Sequence, residues 1–254
     1  MILVLGGTSD ALEIAAELYR LTKDVTVSTA TEYGFEVSRG RFPGQIIFGK
    51  MDRKALKSYI KEHGVDYVVD ASHPYAENIS KNAISVCQEL KVDYLRFERP
   101  FVEQDKKGMV ICESLEQAGE LAEGMPGKVF ITTGINNIEK IIAKISDKNR
   151  LKVRVLPQSD TIRKLEDLGL NADHIIAMKG PFTEEMNYLM FKEAEAEILI
   201  CKESGTQGGT DHKLTAASQL DMKIILIRRP NLVYPNKFEN MILIKEYFQK
   251  IICQ

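Results

Sequence analysis

Short apolar segments of β type alternate with segments of helical periodicity along almost the whole chain. The first, Ile2–Leu5, ends at a glycine pair, and Leu12, Ala15, Ala16 and Tyr19 then share one face of a helix. The candidate strands that follow lie at 25–28, 67–70, 93–97, 109–112, 129–132, 152–155, 174–178, 198–201 and 224–227. Helices are predicted near 10–21, 53–63, 76–90, 115–122, 136–145, 160–168, 184–194 and 211–220. This alternation predicts βαβ units and therefore an α/β fold.

The strands are too numerous for one small sheet, and the polar stretch 98–107 separates them into two groups. We therefore predict two Rossmann-like domains with mostly parallel sheets and an active cleft between them. Residues 1–100 are predicted to bind a dinucleotide and residues 101–230 to bind the substrate. Residues 231–254 could pack on either domain.

The composition excludes some classes of function. The net charge is −2 and basic residues are interleaved with acidic ones, so no basic stripe indicates nucleic-acid binding. The sequence shows no secretory signal pattern and no apolar run of the roughly 20 residues that span a bilayer, so we expect no membrane segment and a cytoplasmic protein. Cys87, Cys112, Cys201 and Cys253 lack the spacing of metal ligands, so we expect no metal site and buried thiols.

A glycine turn joins the first strand to the first helix. Gly6 and Gly7 let the backbone approach a ligand, Thr8 and Ser9 add hydroxyl groups, and the helix N-terminus favours phosphate. The turn lacks the full G-x-G-x-x-G pattern, and a tight turn without a ligand is the alternative. Its place in the first βαβ unit favours a dinucleotide. Asp10, with Glu13 three residues later, resembles a capping box.

The end of the second strand bears on which nicotinamide cofactor is used. Ser28 and Thr29 stand where an NAD-selective site usually has a carboxylate, and no acid occurs before Glu32. With Arg39 and Arg41 nearby in sequence, this favours NADPH, although NADH stays possible and both arginines could be solvated.

Ser72, His73 and Pro74 follow a strand that ends at Asp70. Ligands of open α/β sheets lie at the carboxyl ends of the strands, so these residues are expected to contact the nicotinamide half of the cofactor or the substrate. The alternative is a histidine that only caps the next helix. Pro74 is expected to open that helix.

Taken together, these motifs resemble the signatures of precorrin-6A reductases, in the family's order and over essentially the whole chain. The matching segments are Gly6–Thr8, Asp70–Ala76, Arg96–Pro100, Thr132–Gly134, Arg154–Pro157, Gly180–Phe182, Lys202–Gly205, Gly209-Thr210 with Lys213, and Arg229-Pro230. The resemblance implies hydride transfer from a reduced nicotinamide to a C=C bond of precorrin-6A or its cobalt form, giving the dihydro product. It also implies a tetrapyrrole bound between two Rossmann-like domains, in a monomer or homodimer.

A second glycine-rich turn, 202–210, precedes the helix that carries Lys213, and it forms a candidate anion cradle. A corrin precursor carries many carboxylates, so cationic and polar groups near strand ends are expected to bind it. The candidate substrate-binding residues are Arg99, Thr133, Arg154, Lys179, Lys202, Ser204, Gly205, Gly209, Thr210 and Lys213.

The reduction also needs a proton, for which His73, Asp211 and Lys202 are the candidate catalytic residues; His212 or a bound water are alternatives. Competing functions are a non-catalytic nucleotide sensor, another NAD(P)-dependent oxidoreductase and a methyltransferase of the corrin pathway.

Overall fold

The computed structural model describes residues 1–99, 108–203 and 209–252. The predictions for Ser204, Gly205 and Cys253 concern residues outside these ranges. Within residues 1–99 the elements are β1 (Ile2–Leu5), α1 (Ser9–Leu21), β2 (Val25–Thr29), α2 (Glu32–Arg39), β3 (Gln45–Phe48), α3 (Arg53–His63), β4 (Tyr67–Asp70), α4 (Glu77–Leu90) and β5 (Asp93–Phe97).

The next part of the chain contains β6 (Met109–Cys112), α5 (Leu115–Glu123), β7 (Lys128–Ile131), α6 (Glu139–Ile142), a 3-10 turn (Lys148–Arg150), β8 (Leu151–Val155), α7 (Ser159–Asp167), β9 (Ile175–Ala177), α8 (Glu184–Glu193), β10 (Ala196–Lys202), α9 (Thr210–Gln219) and β11 (Lys223–Ile227). The last elements are β12 (Lys237–Phe238) and α10 (Met241–Ile252).

The chain divides into two compact units. The first comprises Met1–Pro100 and Pro230–Gln254, and the second comprises Phe101–Arg229. The C-terminal segment, which the sequence did not assign, thus joins the first unit. Each unit is built on a six-stranded sheet, with the strand orders β12-β5-β4-β1-β2-β3 and β6-β11-β10-β7-β8-β9. All of the described strand pairs are parallel, which confirms the predicted fold class.

Helices cover both faces of the first sheet, so its central strands are apolar on both sides. Val4 packs with Ile14 of α1 and Phe248 of α10 on one face. Leu5 packs with Leu56 of α3 and Val86 of α4 on the other face. In the second unit, Phe130 of β7 packs with Phe191 of α8 and Leu214 of α9.

Two local predictions are wrong in detail. Thr8, and not Asp10, caps α1, because its Oγ1 accepts a hydrogen bond from the N–H of Ala11 at 3.1 Å. Pro74 lies in a turn, and α4 begins three residues later at Glu77. Thr8, Ser72 and His73 thus lie outside the helices that follow them, whereas Ser9 is the first residue of α1.

Candidate functional site

Two of the predicted turns meet at the edge of the first sheet. The chain runs from β1 through β2 to β3 on one side and returns to β4 on the other side of β1. The turns after β1 and β4 therefore flank the point where the strand order reverses, which is where open α/β sheets bind ligands. Thr8 Oγ1 donates a hydrogen bond to the carbonyl of Ala71 at 2.9 Å and links the two turns.

The glycine turn has the geometry of a phosphate cradle. Gly6 lies so close to β2 that a Cβ would stand 3.0 Å from the carbonyl oxygen of Ser28. Gly7 has φ +117°, a conformation that favours glycine, and the place of its missing Cβ is open. Beside it, the N-terminus of α1 directs backbone N–H groups outward. These features fit the pyrophosphate of a dinucleotide.

The end of β2 lies directly beside this turn. The N–H of Gly6 donates to the carbonyl of Ser28 at 2.8 Å, and the side chains of Ser28 and Thr29 are buried. Thr29 Oγ1 has no hydrogen-bond partner within the described residues. The structure therefore gathers Gly6, Gly7 and both β2 hydroxyls at one edge of the sheet.

The turn after β4 is held by the carboxylate of Asp70, which is fully buried. Asp70 Oδ1 accepts hydrogen bonds from the backbone N–H of Ser72 at 3.0 Å and from its hydroxyl at 2.6 Å. The hydroxyls of Ser80 and Tyr94 donate to Oδ2 at 2.6 and 2.7 Å. His73 is half-buried, and its Nδ1 accepts from the N–H of Tyr75 at 3.3 Å.

A buried arginine supports the same turn. Arg96 is 0% exposed, and its Nη1 donates to Asp70 Oδ1 at 2.9 Å and to the carbonyl of Ser72 at 3.0 Å. Its Nε and Nη2 donate to Glu98 Oε2 at 3.1 and 3.0 Å. The Tyr234 ring lies 5.1 Å from the guanidinium carbon, and burial raises the pKa of that tyrosine to about 12.

In the sequence, Asp70 and Arg96 contribute only to the family resemblance, and no role is predicted for them. Asp70 and Arg96 are 26 positions apart, and they meet because they are paired in register across β4 and β5. A strand pairing with assigned register is the signal that could have found the contact.

Arg99, predicted to bind the substrate, lies in the first unit. Its Nη2 is 2.7 Å from Asp10 Oδ1 in the first turn of α1. Burial raises the pKa of Asp10, and the neighbouring guanidinium opposes that shift. The ion pair therefore places a positive charge beside the glycine turn.

In the second unit the strand order reverses between β7 and β10. Gly209, with φ +65°, precedes α9 at this edge, and Thr210 Oγ1 donates to the carbonyl of Lys202 at 3.3 Å. Lys202 is half-buried at the end of β10, and burial lowers the pKa of its ammonium group. Asp211 is half-buried in the first turn of α9.

A pocket of about 240 Å³ opens near these residues at the carboxyl ends of β7, β8 and β9. Arg154 and Lys213 line it, and each is only 7% exposed. Burial lowers the pKa of Arg154 to about 10 and also lowers the pKa of Lys213. The other lining residues are Thr132, Gly134, Val155, Leu156, Met178, Gly180, Pro181, Phe182, Asn187 and Gly209.

The predicted residues thus separate by unit. The cofactor-binding candidates Gly6, Gly7, Thr8, Ser9, Ser28, Thr29, Ser72, His73 and Pro74 all lie in the first unit, and so does Arg99. Arg154, Lys213 and Gly209 meet at the pocket, whereas Thr133 is buried nearby in sequence and Lys179 is exposed. Of the catalytic candidates, His73 belongs to the first unit, and Lys202 and Asp211 belong to the second.

Three further observations concern the described ranges only. No helix there is both long enough and apolar enough to span a bilayer. The same residues contain no group of three or more potential metal ligands. Cys87, Cys112 and Cys201 are free and buried, as predicted.

Comparison with known proteins agrees with this geometry. The family model described as "Precorrin-6x reductase CbiJ/CobK" matches residues 1–249. The chain is 36% identical to the cobalt-precorrin-6A reductase of Priestia megaterium, over 92% of each chain. It is 34% identical to the cobalt-precorrin-6A reductase of Methanocaldococcus jannaschii, over 94% of each chain. The solved structure of CobK precorrin-6A reductase superimposes with a TM-score of 0.80 at 22% identity, covering 98% of this chain and 96% of that one.

Two parallel α/β units, together with the family match, define an oxidoreductase. The chain belongs to the precorrin-6x reductase family CbiJ/CobK, and is a reductase of cobalamin biosynthesis that acts on a C=C bond. Enzymes of this family need a reduced nicotinamide cofactor, and their substrate is a tetrapyrrole. The predictions of family, activity and class of enzyme are confirmed.

Proposed function

We propose that this protein reduces cobalt-precorrin-6A with NADPH, binding the dinucleotide at the first unit and carboxylates of the tetrapyrrole at the second. The observation that carries the proposal is the juxtaposition of the Gly6–Ser9 turn with the Ser72–Pro74 turn at the strand-order reversal of the first sheet. The cobalt form is proposed because the relatives at 36% and 34% identity are both named cobalt-precorrin-6A reductase.

The residues of the first unit would hold the cofactor as follows. Gly7 and the N-terminus of α1 would bind the pyrophosphate, and Arg99 beside Asp10 would add charge there instead of binding the tetrapyrrole. Ser28 and Thr29 would face the adenosine ribose. The turn with Ser72, His73 and Pro74 would position the nicotinamide half. Asp70 and Arg96 would hold this turn in place through their hydrogen bonds to Ser72. When bound, the reduced nicotinamide supplies the hydride.

The proton that completes the reduction needs a separate donor. Because His73 Nδ1 accepts a hydrogen bond from the N–H of Tyr75, the proton of the neutral ring resides on Nε2. A neutral imidazole is too weak an acid to give up that proton, so His73 would have to act as the imidazolium. It would release its contact with the N–H of Tyr75, carry protons on both ring nitrogens, deliver the proton of Nε2 and regain one from water. Lys202 and Asp211 stay the alternative donors. If the histidine is the donor, His73→Asn should lower kcat by a larger factor than it raises the Kd of NADPH.

In the second unit, the proposed substrate-binding groups are the side chains of Thr133, Arg154, Lys179, Lys202, Thr210 and Lys213 and the backbone at Gly209, with Ser204 and Gly205 between them in sequence. These residues combine cationic and hydroxyl groups, which bind carboxylates.

We also propose a cytoplasmic location, which the reduced thiols of Cys87, Cys112 and Cys201 favour. The proposed state is a monomer or homodimer, which light scattering would decide.

The choice of NADPH rests on the end of β2 and the start of α2. β2 ends with the hydroxyl residues Ser28 and Thr29, and the N-terminus of α2 follows two residues later. No carboxylate occurs between the strand and Glu32. Arg39, however, lies at the far end of α2, roughly 10 Å along the helix axis. A 2′-phosphate would therefore meet the backbone N–H groups of α2 before it met this arginine.

The experiment that tests the proposal is anaerobic incubation with precorrin-6A or cobalt-precorrin-6A, each with NADH and NADPH. Oxidation of the nicotinamide and formation of the dihydro product are measured together. We expect the fastest turnover with the cobalt form and NADPH. Absence of turnover with all four combinations, while NADPH still binds, would favour the nucleotide sensor instead.

A variant separates the two nicotinamides. Ala30 is exposed directly after β2, so Ala30→Glu introduces a carboxylate without disturbing the core. We expect the KM for NADPH to rise about tenfold or more through repulsion of the 2′-phosphate, with the KM for NADH little changed. Ala30→Gln is the neutral control of equal size.

A further inference from the structure

The chain leaves the second unit shortly after β11, and a buried ion pair holds it at that point. Arg229 is the last residue of the second unit, and Pro230 is the first residue of the segment that returns to the first unit. The Nε of Arg229 donates to Glu203 Oε1 at 2.8 Å, and its backbone N–H donates to Oε2 at 3.1 Å. The carboxylate of Glu203 therefore holds both the side chain and the backbone of Arg229.

Both partners of this pair are shielded from water. The side chain of Glu203 is 5% exposed and that of Arg229 is 13% exposed. Taking two charges out of water costs free energy, which their attraction offsets only when the geometry is good. A buried pair of this kind therefore adds little net stability, and its main consequence is one fixed geometry.

The backbone at this exit has little freedom left. The N–H of Glu203 donates to the carbonyl of Ile227 at 3.0 Å, so the pairing of β10 with β11 continues beyond the strands. Pro230 fixes its own φ and disfavours helical conformations of Arg229. The direction in which the chain leaves the second unit is therefore set by the end of β10.

The same end of β10 carries a proposed substrate-binding residue. Lys202 is the last residue of the strand, and its carbonyl accepts from Thr210 Oγ1 at the start of α9. In the proposed function, the first unit binds the dinucleotide and the second unit binds the tetrapyrrole. Binding of each ligand then depends on one unit, whereas the hydride passes between ligands that different units hold. Hydride transfer is therefore the step that depends on how the connecting chain is fixed.

We infer that Glu203 and Arg229 are positioning residues for hydride transfer. Their ion pair locks the exit of the chain from the second unit to the end of β10, and it acts on the transfer step and not on the binding of either ligand. The inference rests on the proposed function, because it needs the two ligands on different units. A misplacement of about 1 Å, caused far from the chemistry, can slow a reaction about 100-fold.

Anaerobic single-turnover kinetics test the inference on the full chain. Enzyme with bound NADPH is mixed with saturating cobalt-precorrin-6A, and oxidation of the nicotinamide is followed by absorbance. We expect Arg229→Met and Glu203→Gln to slow this step about 10- to 100-fold, while the Kd of NADPH and the Kd of the tetrapyrrole stay within about twofold of the wild type. Arg229→Lys keeps the charge but not the planar group, so it should recover part of the rate.

Deuterated NADPH identifies the step that is slowed. With deuterium at the transferred position, a primary isotope effect on the single-turnover rate shows that the C–H bond breaks in that step. We expect this isotope effect in the wild type and in both variants.

The neighbouring ion pair supplies a matched control. Arg228, directly before Arg229, donates to Glu113 Oε1 at 2.8 Å, but its side chain is 51% exposed and that of Glu113 is 66% exposed. Arg228→Met and Glu113→Gln therefore remove the same kinds of group from an exposed pair. Both variants should transfer hydride at the wild-type rate.

Hydrogen exchange measured by mass spectrometry detects the lock without any turnover. In Arg229→Met, the amides that follow β11 should exchange faster than in the wild type, because the side-chain bond to Glu203 is lost. Peptides from β7 should exchange at the wild-type rate, and so should the segment after β11 in Arg228→Met.

Other results overturn the inference. A raised Kd of the tetrapyrrole with an unchanged transfer rate at saturation places the pair in substrate binding. A lower melting temperature with an unchanged transfer rate leaves the pair a structural role only, and an equal loss of rate in Arg228→Met shows that the buried pair has no special effect. The proposed function fails separately, if the wild type oxidises no NADPH with either tetrapyrrole. Unchanged hydrogen exchange in Arg229→Met excludes the lock in either case.

Discussion

At the scale of single residues, the guanidinium of Arg96 connects β5 to the turn that follows β4. It donates to the carboxylate of Asp70, the carbonyl of Ser72 and the carboxylate of Glu98. All four residues are buried, so the charges of Arg96, Asp70 and Glu98 are not hydrated. Each of these charges is stabilised by the opposite charge beside it in place of water. Arg96 is thus a positioning residue for the turn that carries His73.

Replacing Arg96 with methionine should leave two buried carboxylates without their cation. The expected loss of unfolding free energy is about 3–5 kcal/mol, measured by urea denaturation. Arg96→Lys keeps the charge but loses the fork, so we expect it to recover part of the stability while the Kd of NADPH stays raised. Arg53→Met, at an exposed ion pair with Glu89, is the control and should lose about 1 kcal/mol or less. A Kd equal to that of the wild type in Arg96→Lys would remove the positioning role.

The buried ammonium of Lys213 predicts a dependence of stability on pH. Its folded pKa lies below the unfolded value of about 10.4, so the unfolded chain binds more protons between the two values. The destabilisation by this charge is full below the folded pKa and disappears as pH rises towards the unfolded one. We expect the melting temperature of the wild type to rise relative to that of Lys213→Met over this alkaline range. A constant difference at all pH values would mean that Lys213 is not buried as a cation.

At the scale of elements, the strands that the sequence predicted best are those buried on both faces. β1 is a continuous apolar run, β4 is an apolar run that ends at Asp70, and β5 is apolar except for Asp93 and Arg96. All three strands occur where predicted. No sequence pattern predicted α2 or β3, because β3 is a half-exposed edge strand and α2 buries only Ser38 fully. Their apolar patterns were accordingly weak.

The candidate site divides in the same way. Turns at strand ends are formed by consecutive residues, so the glycine turn and the turn at His73 could be identified from short sequence motifs. The support of Asp70 by Arg96 depends on strand register, and the pairing of Arg99 with Asp10 joins positions 89 apart. Such contacts follow from tertiary packing, which short sequence motifs do not predict.

The turn between β1 and α1 can be tested by substituting a glycine. Gly7→Ala places a methyl group in the open space beside the turn, at a φ of +117° that alanine rarely adopts. We expect a stability loss of about 1–3 kcal/mol and a large rise in the Kd of NADPH, measured by fluorescence titration. Gly64→Ala is the matched control, because Gly64 also has a positive φ, +60°, but ends α3 away from the turn. Equal NADPH affinity in both variants would exclude the cradle.

At the scale of the whole molecule, the first unit is assembled from both ends of the chain. The segment from Pro230 returns to it, adds β12 at the edge next to β5, and lays α10 against α1. Phe248 is fully buried there and meets the Tyr67 ring edge to face, with 5.2 Å between ring centroids. Because α10 covers one face of the sheet that carries the glycine turn, the C-terminus should support cofactor binding from a distance.

Phe248→Ala tests this dependence. Truncating a fully buried phenylalanine should remove about 3–5 kcal/mol of unfolding free energy, and the loss should be confined to the first unit. Hydrogen exchange measured by mass spectrometry should therefore accelerate in β1 and β2 and stay unchanged in β7 and β10. Val233→Ala, at a side chain that is 90% exposed, is the control and should change stability by about 0.5 kcal/mol or less. Acceleration of β7 and β10 to the same extent would show that the two units unfold together, and the C-terminal segment would then stabilise the whole chain and not the first unit alone.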